Sequence, residues 1–562
     1  MKRLSLSIVL LASAISCLAA EPPRIVGPSP ENEACIVRLP DDSLKVFFIE
    51  RPSETAVRSI RSTDGGLTWG DDRRELALPG SAYYAIQVLC DREGTLHPFT
   101  HIRRGPGRNL GVDYFYDIYY ARSGGDRTVW SEPRRIYEGY VGALRGVVQL
   151  SSGRIVLPFE YAVPGRPSAP PTGSFACTVL YSDDDGETWE LSDCELTAPC
   201  YAGFVGENYG LTEPCILQLD DGRAWSLFRT QTGFLYESFS EDGAKWAAPT
   251  PTPFISTTSP AETVRLPDGR IVVFWNHCRS MPPVDNAADY VNRDALHAAV
   301  SRDGGKTWLG YREVFRNPAG CETPGKRDRG TAYPDACVNK DGRIVLVTGQ
   351  NPACRGLVLI DADWLEETSH EEDFSAGLGN WSVFTPFGRA SNWWRDRTQG
   401  AVLAVHPDDV SKRVLHVRRA DEKPGDGAVW NFPASRRGIL ELKLRLNEGF
   451  AGGRISLADC FMFPTDTEGD AGHALAGLDI GGDGRINETA ILQPKKWHSL
   501  SLRWNLDESP ECRLVLDGQS IETIPIRTAD TTGASYLRLR STAPEPDPHG
   551  FFVERVSFRQ GE

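Results

Sequence analysis

Short runs of apolar residues, each followed by a polar or glycine-containing turn, recur from near the N-terminus to about residue 350. The clearest runs are Ala34–Leu39 before Asp41-Asp42, Ala85–Leu89 before Gly94, Gly146–Leu150 before Gly153, Pro214–Leu219 before Gly222, Thr263–Leu266 before Gly269 and Ala336–Val338 before Gly342. Some of the strands that follow, such as Ile271–Trp275, are continuously apolar, which is typical of strands buried on both faces. The pattern predicts six units, each opening with a β-hairpin.

An eight-residue pattern, Ser-x-Asp-x-Gly-x-Thr-Trp, returns within the same part of the chain. Complete copies begin at Ser62, Ser182 and Ser301, and degenerate copies begin at Ser123 and Ser240. The starting serines are separated by 61, 59, 58 and 61 residues, a period that indicates one supersecondary unit per repeat. In turns, Ser and Asp side chains bond backbone N–H groups, glycine takes angles that other residues avoid, and tryptophan packs on the hairpin. We therefore interpret the aspartates of the pattern as structural rather than catalytic.

Six hairpin units of near-constant length predict a six-bladed β-propeller, closed by a strand near Arg24-Ile25-Val26 that joins the last blade. The eight-residue pattern resembles the Asp box, or BNR repeat, of the sialidase superfamily of β-propellers, and the resemblance covers about residues 30–367. Propellers with other functions also carry this box, so it indicates architecture more than activity.

The repeat stops near Glu371, where short strands such as Ile439–Leu446 and His498–Trp504 follow, with Asp517-Gly518 at a hairpin turn. This region resembles the concanavalin/laminin-G-like β-sandwiches that accompany glycan-active enzymes. The predicted fold class is all-β, with a signal peptide at residues 1–20, the propeller at 21–368 and a jelly-roll-like β-sandwich at 369–562. We expect a fragment ending near residue 368 to fold without the sandwich.

The N-terminal residues are typical of an export signal. Lys2 and Arg3 precede an apolar run to Ile15 and small residues up to Ala20. A lipid anchor at Cys17 is an alternative, and no later stretch is long and apolar enough to predict a membrane span. The net charge of −15 gives no support for nucleic-acid binding.

Twelve cysteines remain once Cys17 is removed, an even number that permits disulfides in an exported chain. Plausible pairs are Cys194 with Cys200 and Cys460 with Cys512. The competing interpretation is that cysteines within apolar strands, such as Cys35, Cys215 and Cys337, are buried free thiols. The sequence has no CxxC motif, so we expect no metal and no cofactor.

Polar residues at the ends of the innermost strands are candidates for a site, because these strands surround the central funnel of a propeller. Nine residues before the turn position of their repeats lie Glu33, Glu213 and Tyr333, and seven residues after it lie Glu160 and Arg229. Core packing alone would not favour acids or a phenol at these positions.

Three segments resemble motifs of the exo-sialidases. Leu211-Thr212-Glu213-Pro214 with Phe228-Arg229 resembles the segment that carries the family's glutamate and one arginine of a three-arginine carboxylate clamp. Asn292–Leu296 resembles the segment that carries another arginine, here Arg293. Ala332-Tyr333-Pro334-Asp335 resembles the Ala-Tyr-Ser-Asp nucleophile segment, with proline in place of serine.

The resemblance implies that Tyr333 is a nucleophile, that Glu213 is its base, and that Arg229 and Arg293 bind the substrate carboxylate, with Asp335 as a neighbouring substrate-binding residue. These residue types suit a sialoside, whose anomeric carbon carries a carboxylate that would repel an anionic nucleophile. A neutral tyrosine avoids that repulsion, and arginines hold the carboxylate through forked hydrogen bonds. Tyrosine-nucleophile sialidases are an exception to the two-carboxylate rule of glycoside hydrolysis.

The chain departs from the exo-sialidase pattern at three places. Asn32, followed by Glu33, stands where the family has its first arginine. Gly349 or Gln350 stands where the family has the glutamate that supports that arginine. The loop before the first Asp box, where the family has its acid/base aspartate, offers only Glu54 as an acid. We list Asn32 and Glu33 among the substrate-binding candidates and Glu54 as the candidate general acid.

The sequence therefore predicts an exported exo-glycosidase of sialidase type that releases terminal sialic acid with retention of configuration. Its expected partners are sialylated or related glycans and glycoconjugates. One alternative is an exo-glycosidase that acts on another acidic or neutral terminal sugar. A second alternative is a propeller that binds glycans without cleaving them.

Overall fold

The protein is built almost entirely of β-strands in the computed structural model, which describes most of the chain. The described residues are 20–31, 33–107, 113–124, 129–139, 141–163, 175–199, 210–279, 293–316, 330–350, 355–384, 400–422, 425–462, 474–487, 489–527 and 531–561. Residues 1–19 of the predicted signal peptide, including Cys17, and Asn32 lie outside these residues. No helix among them is long and apolar enough to cross a membrane.

Six antiparallel sheets follow one another along the first part of the chain, and we call them blades 1 to 6. Blade 1 contains β2 (Cys35–Arg38), β3 (Leu44–Ile49), β4 (Ala56–Ser62) and β5 (Gly70–Ala77). Blade 2 contains β6 (Ala82–Cys90), β7 (Leu96–Arg104), β8 (Phe115–Tyr120) and β9 (Arg134–Tyr137). Blade 3 contains β10 (Val141–Leu144), β11 (Val148–Gln149), β12 (Ile155–Ala162), β13 (Phe175–Ser182) and β14 (Glu190–Leu191).

The remaining blades have the same four-stranded plan. Blade 4 contains β15 (Thr212–Gln218), β16 (Ala224–Arg229), β17 (Phe234–Ser240) and β18 (Thr250–Ile255). Blade 5 contains β19 (Glu262–Arg265), β20 (Ile271–Trp275), β22 (Ala295–Ser301) and β23 (Leu309–Arg316), and β21 (Cys278–Arg279) lies outside its sheet. Blade 6 contains β24 (Asp335–Val338), β25 (Ile344–Thr348) and β26 (Gly356–Ile360).

The first strand of the chain completes the last blade. β1 (Arg24–Gly27) pairs antiparallel with β26, with Arg24 opposite Leu359 and Ile25 opposite Val358. This pairing joins the N-terminal segment to the end of the repeat region and closes the ring without leaving a free edge at that point. The predicted six-bladed propeller and its closing strand are confirmed.

The three complete Asp boxes form the turns between the last two strands of their blades. In the first copy, the carboxylate of Asp64 accepts hydrogen bonds from the backbone N–H groups of Leu67 and Thr68, both at 3.0 Å, and from the hydroxyl of Thr68. The Trp69 indole donates to the carbonyl of Gly66 at 3.0 Å. The hydroxyl and backbone bonds from Thr68 lower the pKa of Asp64 to about 2. The box is therefore a turn-closing device, as predicted.

Two large sheets form the C-terminal region, which is reached from β26 through a 3-10 helix at Ala362–Glu366. One contains β27 (Ser369–Glu372), β29 (Val402–His406), β30 (Asp409–Arg419), β32 (Arg437–Leu446), β38 (Trp497–Asn505), β39 (Ser509–Leu516), β40 (Gln519–Pro525) and β42 (Asp547–Gln560). The other contains β28 (Trp381–Phe384), β31 (Gly427–Ser435), β33 (Gly452–Ala458), β35 (Ala476–Gly481), β36 (Arg485–Ile486), β37 (Ala490–Ile491) and β41 (Ala534–Ser541). Residues of both sheets share one apolar core, so this region is a β-sandwich. Its likeness to concanavalin or laminin-G domains and the domain limit at residue 368 remain predictions.

The sandwich packs directly against blade 5. β34 (Phe461–Met462) pairs in parallel with β21, and the hydroxyl of Tyr536 donates to Glu313 of β23 at 2.7 Å. An interface core holds apolar residues from both regions: Ile255, Cys278 and Ala295 from the propeller with Val429, Ala458, Cys460, Phe461 and Tyr536 from the sandwich. The two regions therefore share buried contacts, which the repeat pattern does not predict.

The described cysteines are free thiols. Cys460 and Cys512 are both buried and unpaired with each other, so the disulfide considered between them is wrong. Cys194 is also free, while Cys200 lies outside the described residues. Cys35, Cys215 and Cys337 have no disulfide, in agreement with the alternative interpretation. Apolar strands surround Cys35 and Cys215 closely enough to leave each at most 3% exposed.

Candidate functional site

Three residues picked out by the repeat register share an unusual backbone conformation. Glu213 is the second residue of β15, and Glu33 and Tyr333 each lie two residues before the first strand of their blade. Their φ angles are 46°, 51° and 63° respectively, and all three residues are at most 5% exposed. The left-handed region is costly for residues other than glycine and persists where the surrounding structure enforces it. The same strained geometry therefore recurs at equivalent positions of blades 1, 4 and 6.

The phenol of Tyr333 and the carboxylate of Glu213 are in direct contact. The Tyr333 hydroxyl donates to Glu213 Oε1 at 2.6 Å. Arg229, at the end of β16, donates from Nη1 to Glu213 Oε2 at 2.8 Å, and the same nitrogen lies 3.4 Å from the Tyr333 hydroxyl. One carboxylate oxygen of Glu213 therefore accepts a hydrogen bond from the phenol, and the other accepts one from a guanidinium.

The protonation of this pair follows from its surroundings. Burial opposes the charge of Glu213, but Arg229 and the hydrogen bonds from Arg229 and Tyr333 outweigh it and lower the pKa of the carboxyl. Burial, together with the neighbouring charge of Glu213, raises the pKa of Tyr333 well above its ordinary value. An ionised glutamate therefore accepts a hydrogen bond from a neutral phenol, which is the arrangement of a base and an unactivated nucleophile.

Thr258 connects the two arginines that the sequence selects. Its hydroxyl accepts from Arg229 Nε at 2.8 Å, and its backbone carbonyl accepts from Arg293 Nη2 at 2.6 Å. Arg293 also donates from Nη1 to Gln350 Oε1 at 3.0 Å, and its guanidinium carbon lies 5.5 Å from the centroid of the Tyr333 ring. Both guanidiniums therefore lie beside the nucleophile candidate and have fixed orientations.

Glu160, on β12 of blade 3, supports the backbone of Glu213. Its Oε2 accepts from the Glu213 N–H at 2.7 Å, at the residue whose φ is positive. Its Oε1 lies 1.7 Å from where a Cβ on Gly142 would stand, so a larger residue at position 142 would displace this carboxyl. Burial, followed by the charge of Glu213, raises the pKa of Glu160 to about 8. Two neighbouring carboxyls thus have pKa values pushed in opposite directions.

The other predicted site residues have different surroundings. Asp335 accepts from the Ile36 N–H at 2.8 Å and from Gln87 Nε2 at 3.3 Å, so its carboxylate connects blade 6 to blades 1 and 2. Glu54 accepts from the Ser81 hydroxyl at 2.7 Å and pairs with Arg51, so these contacts hold it between blades 1 and 2. Its role as a general acid remains a prediction.

Glu33 is buried at the register position, and its charge contributes to raising the pKa of Tyr333. Asn32 lies outside the described residues. The substrate-binding roles of Glu33 and Asn32 therefore stay predictions. The site that the structure assembles consists of Glu213, Arg229, Arg293 and Tyr333, drawn from blades 4, 5 and 6 or the segments that lead into them.

Comparisons with known proteins agree with this architecture. A family described as "BNR repeat-like domain" matches residues 85–346. A sialidase of Micromonospora viridifaciens is 24% identical over an alignment of 300 residues that covers 46% of this chain and 41% of that protein. The chain thus spans about two-fifths of the length of that relative. The residues that match the BNR repeat-like family lie within the six-bladed propeller.

Solved structures also resemble the chain at low identity. Trypanosoma rangeli sialidase in complex with 2,3-difluorosialic acid, a covalent intermediate, has 14% identity and a TM-score of 0.40, covering 94% of this chain and 92% of its own. A protein of unknown function from Dyadobacter fermentans has 16% identity and a TM-score of 0.43, covering 60% of this chain and 97% of its own.

Sequence reasoning missed three residues of the propeller: Arg145 and Thr258, which contact the site, and Glu262, which lies beside Arg145. Arg145 lies eight residues before the turn glycine of its repeat, and the five equivalent positions hold only Ala, Ile or Pro. A charged residue at a position that is otherwise apolar was the available signal. Glu262 lies 3.7 Å from Arg145, and burial with the charge of Asp335 raises its pKa to about 8. Thr258 carried no signal, because its role depends on its backbone carbonyl as well as on its hydroxyl.

Proposed function

We propose that this protein is an exported retaining exo-glycosidase of sialidase type that releases terminal sialic acid from glycans. The observation that carries the proposal is the 2.6 Å hydrogen bond from Tyr333 to Glu213, with Arg229 on the other carboxylate oxygen. A phenol paired with an ionised carboxylate can be deprotonated as it attacks, which makes a weak nucleophile reactive. The predicted signal peptide at residues 1–20 supports export.

The chemistry follows from these contacts. The Tyr333 oxygen forms a bond to the anomeric carbon of the substrate, the bond from that carbon to the aglycone oxygen breaks, and the phenol proton passes to Glu213. A general acid, for which Glu54 is the candidate, protonates the departing oxygen. Water then attacks the anomeric carbon from the face that the aglycone left and gives a proton to the same residue, which lost its own to the aglycone. The bond from that carbon to the Tyr333 oxygen breaks, Glu213 returns its proton to that oxygen, and the sugar leaves with retained configuration.

Arg229 and Arg293 account for the choice of an acidic sugar. Each arginine is at most 5% exposed and lies beside Tyr333. When the anomeric carbon lies at the phenol oxygen, the carboxylate on that carbon would therefore contact both guanidiniums. Forked hydrogen bonds to a carboxylate are what arginine provides better than lysine. The alternative within the same reaction class is an exo-glycosidase for another acidic or neutral sugar. In that case Asn32 and Glu33 would adapt the pocket to that sugar.

Glycan binding without cleavage is the second candidate function. The observation that favours it is the position of Glu54, whose carboxylate is engaged by Arg51 and Ser81 rather than by the Tyr333–Glu213 pair. A propeller that lacks an acid for the leaving group would bind a sialoside and leave it intact.

An aryl sialoside separates these functions, because its good leaving group lessens the need for a general acid. We expect the full-length protein to release the aryl alcohol, Tyr333→Phe to lose turnover by orders of magnitude, and Glu213→Gln to be similarly impaired. Tyr311→Phe is a matched control, since Tyr311 is a buried tyrosine of blade 5 that is 2% exposed and packs against His277. Binding of sialic acid without release of the aryl alcohol would instead support the glycan-binding function, and full activity of the Phe variant would exclude the tyrosine mechanism.

A further inference from the structure

A third arginine lies against the nucleophile candidate, in addition to the two that the sequence selects. The guanidinium carbon of Arg145 is 5.6 Å from the centroid of the Tyr333 ring, and the Arg145 Nη2 donates to the carbonyl of Pro334. Arg293 lies over the same ring at 5.5 Å. Arg145 is only 1% exposed, so it is among the most completely buried large side chains of the propeller.

The surroundings of Arg145 keep it charged. Burial disfavours its charge, but the carboxyls of Glu262, Asp335, Glu33 and Glu213 outweigh burial and raise its pKa. Placing an arginine in a protein interior is costly unless such partners are present. The acids of blades 1, 4, 5 and 6 therefore maintain a cation at the ring of Tyr333.

Its position in the repeat makes this arrangement specific to one blade. Equivalent positions in the other five repeats are Ala34, Ile86, Pro214, Ala261 and Pro334. Arg145 contacts the carbonyl of one of these equivalents, Pro334, which directly follows Tyr333. A residue that only packs at the position of Arg145 would need no charge. The positive charge of Arg145 therefore needs another explanation.

We propose that Arg145 is a positioning residue for Tyr333: its guanidinium fixes the backbone at Pro334 and stabilises negative charge on the phenol as the nucleophile forms. The link to catalysis rests on the proposed function, but the electrostatic effect on the phenol does not. A cation over an aromatic ring is attracted by the ring face, and more strongly when the ring carries charge.

Charged groups near the phenol come from four of the blades. Glu213 and Arg229 belong to blade 4, Arg293 precedes β22 of blade 5, Glu33 precedes β2 of blade 1, and Arg145 follows β10 of blade 3. Glu213 and Glu33 disfavour the phenolate, while the arginines favour it. Removing one cation from this set should therefore make the phenol less acidic.

The test uses the full-length protein with a fluorinated tyrosine incorporated at position 333, whose more acidic phenol is titrated by ¹⁹F NMR. We expect Arg145→Met to raise the phenol pKa by about one to two units, which corresponds to about a 10- to 100-fold smaller phenolate fraction at a given pH. Arg145→Lys should restore most of the shift, because it keeps the charge. Arg312→Met is the matched control, since Arg312, on β23 of blade 5, is also 1% exposed. Its guanidinium carbon lies 3.4 Å from the centroid of the Trp364 ring instead of over Tyr333.

If the methionine variant does not fold, Arg145→Gln serves as a second variant. Glutamine keeps a hydrogen-bond donor for the Pro334 carbonyl but removes the charge. An unchanged phenol pKa in a folded, uncharged variant would overturn the proposal and leave Arg145 a packing residue. With an aryl sialoside, kcat should fall in the uncharged variants while KM changes little. The NMR titration needs no substrate, so it distinguishes failure of this proposal from failure of the sialidase assignment.

Discussion

Replacing Glu160 by glutamine should remove a pH dependence of stability that this buried carboxyl imposes on the folded protein. Burial and the charge of Glu213 raise the pKa of Glu160 from its ordinary 4.5 to about 8. Glutamine has nearly the same shape, and its amide oxygen can still accept the hydrogen bond from the Glu213 N–H. The substitution therefore imitates the protonated acid permanently.

The magnitude follows from proton binding. Between about pH 4.5 and about pH 8 the folded protein retains a proton that the unfolded chain loses, so the free energy of unfolding decreases as pH rises. One proton corresponds to about 1.4 kcal/mol per pH unit, which gives roughly 4–5 kcal/mol across this interval. Other groups, including Glu262, contribute equally to wild type and variant and cancel in the difference.

The assay is urea unfolding of wild type and Glu160→Gln at several pH values between about 5 and about 8. We expect similar stabilities near the lower limit and a variant that is several kcal/mol more stable near the upper limit. Glu241→Gln is the matched control, because Glu241 is an exposed carboxylate in a turn of blade 4. Parallel pH profiles for wild type and Glu160→Gln would show that Glu160 is ionised in the folded protein and would refute the reasoning.

Three further results are expected. Thr258→Val removes the hydroxyl that accepts from Arg229 Nε, and should raise KM for an aryl sialoside by about tenfold, as measured by steady-state kinetics. Deletion of residues 369–562 should lower the melting temperature of the propeller or cause aggregation, because it exposes the interface core on blade 5; an unchanged melting temperature would mean that the shared contacts contribute little. Cys460 and Cys512 should both be alkylated in unfolded protein without added reductant, and protection of the pair would indicate a disulfide.

Repeats made the propeller predictable from the sequence, because each blade is specified by a local pattern. The Asp box that starts at Ser62 closes a turn through bonds within eight residues. The strand near Arg24 could be predicted as the closing strand because a propeller of six hairpin units needs its last blade joined to the start of the chain. The same register placed Glu213 and Tyr333 at equivalent strand ends. Their 2.6 Å contact could be anticipated because propeller strands of different blades converge on the axis.

What the sequence could not reveal depends on contacts between distant segments. Arg145 and Tyr333 are 188 positions apart, and nothing near either residue specifies their contact. The packing of Tyr536 on Glu313 joins the sandwich to blade 5 through residues with no repeat counterpart. The expectation that the propeller folds alone came from considering the blades by themselves, whereas the interface core draws on both regions.

Covalent trapping tests the central claim most directly. A fluorinated sialic acid that slows hydrolysis of the glycosyl–enzyme should add its mass to the full-length protein, and peptide mass spectrometry should locate the added sugar on Tyr333. Tyr333→Phe should remain unlabelled, and excess free sialic acid should slow labelling of wild type. A label on another residue, or turnover of an aryl sialoside without any label at Tyr333, would contradict the tyrosine mechanism and with it the roles assigned to Glu213 and Arg145.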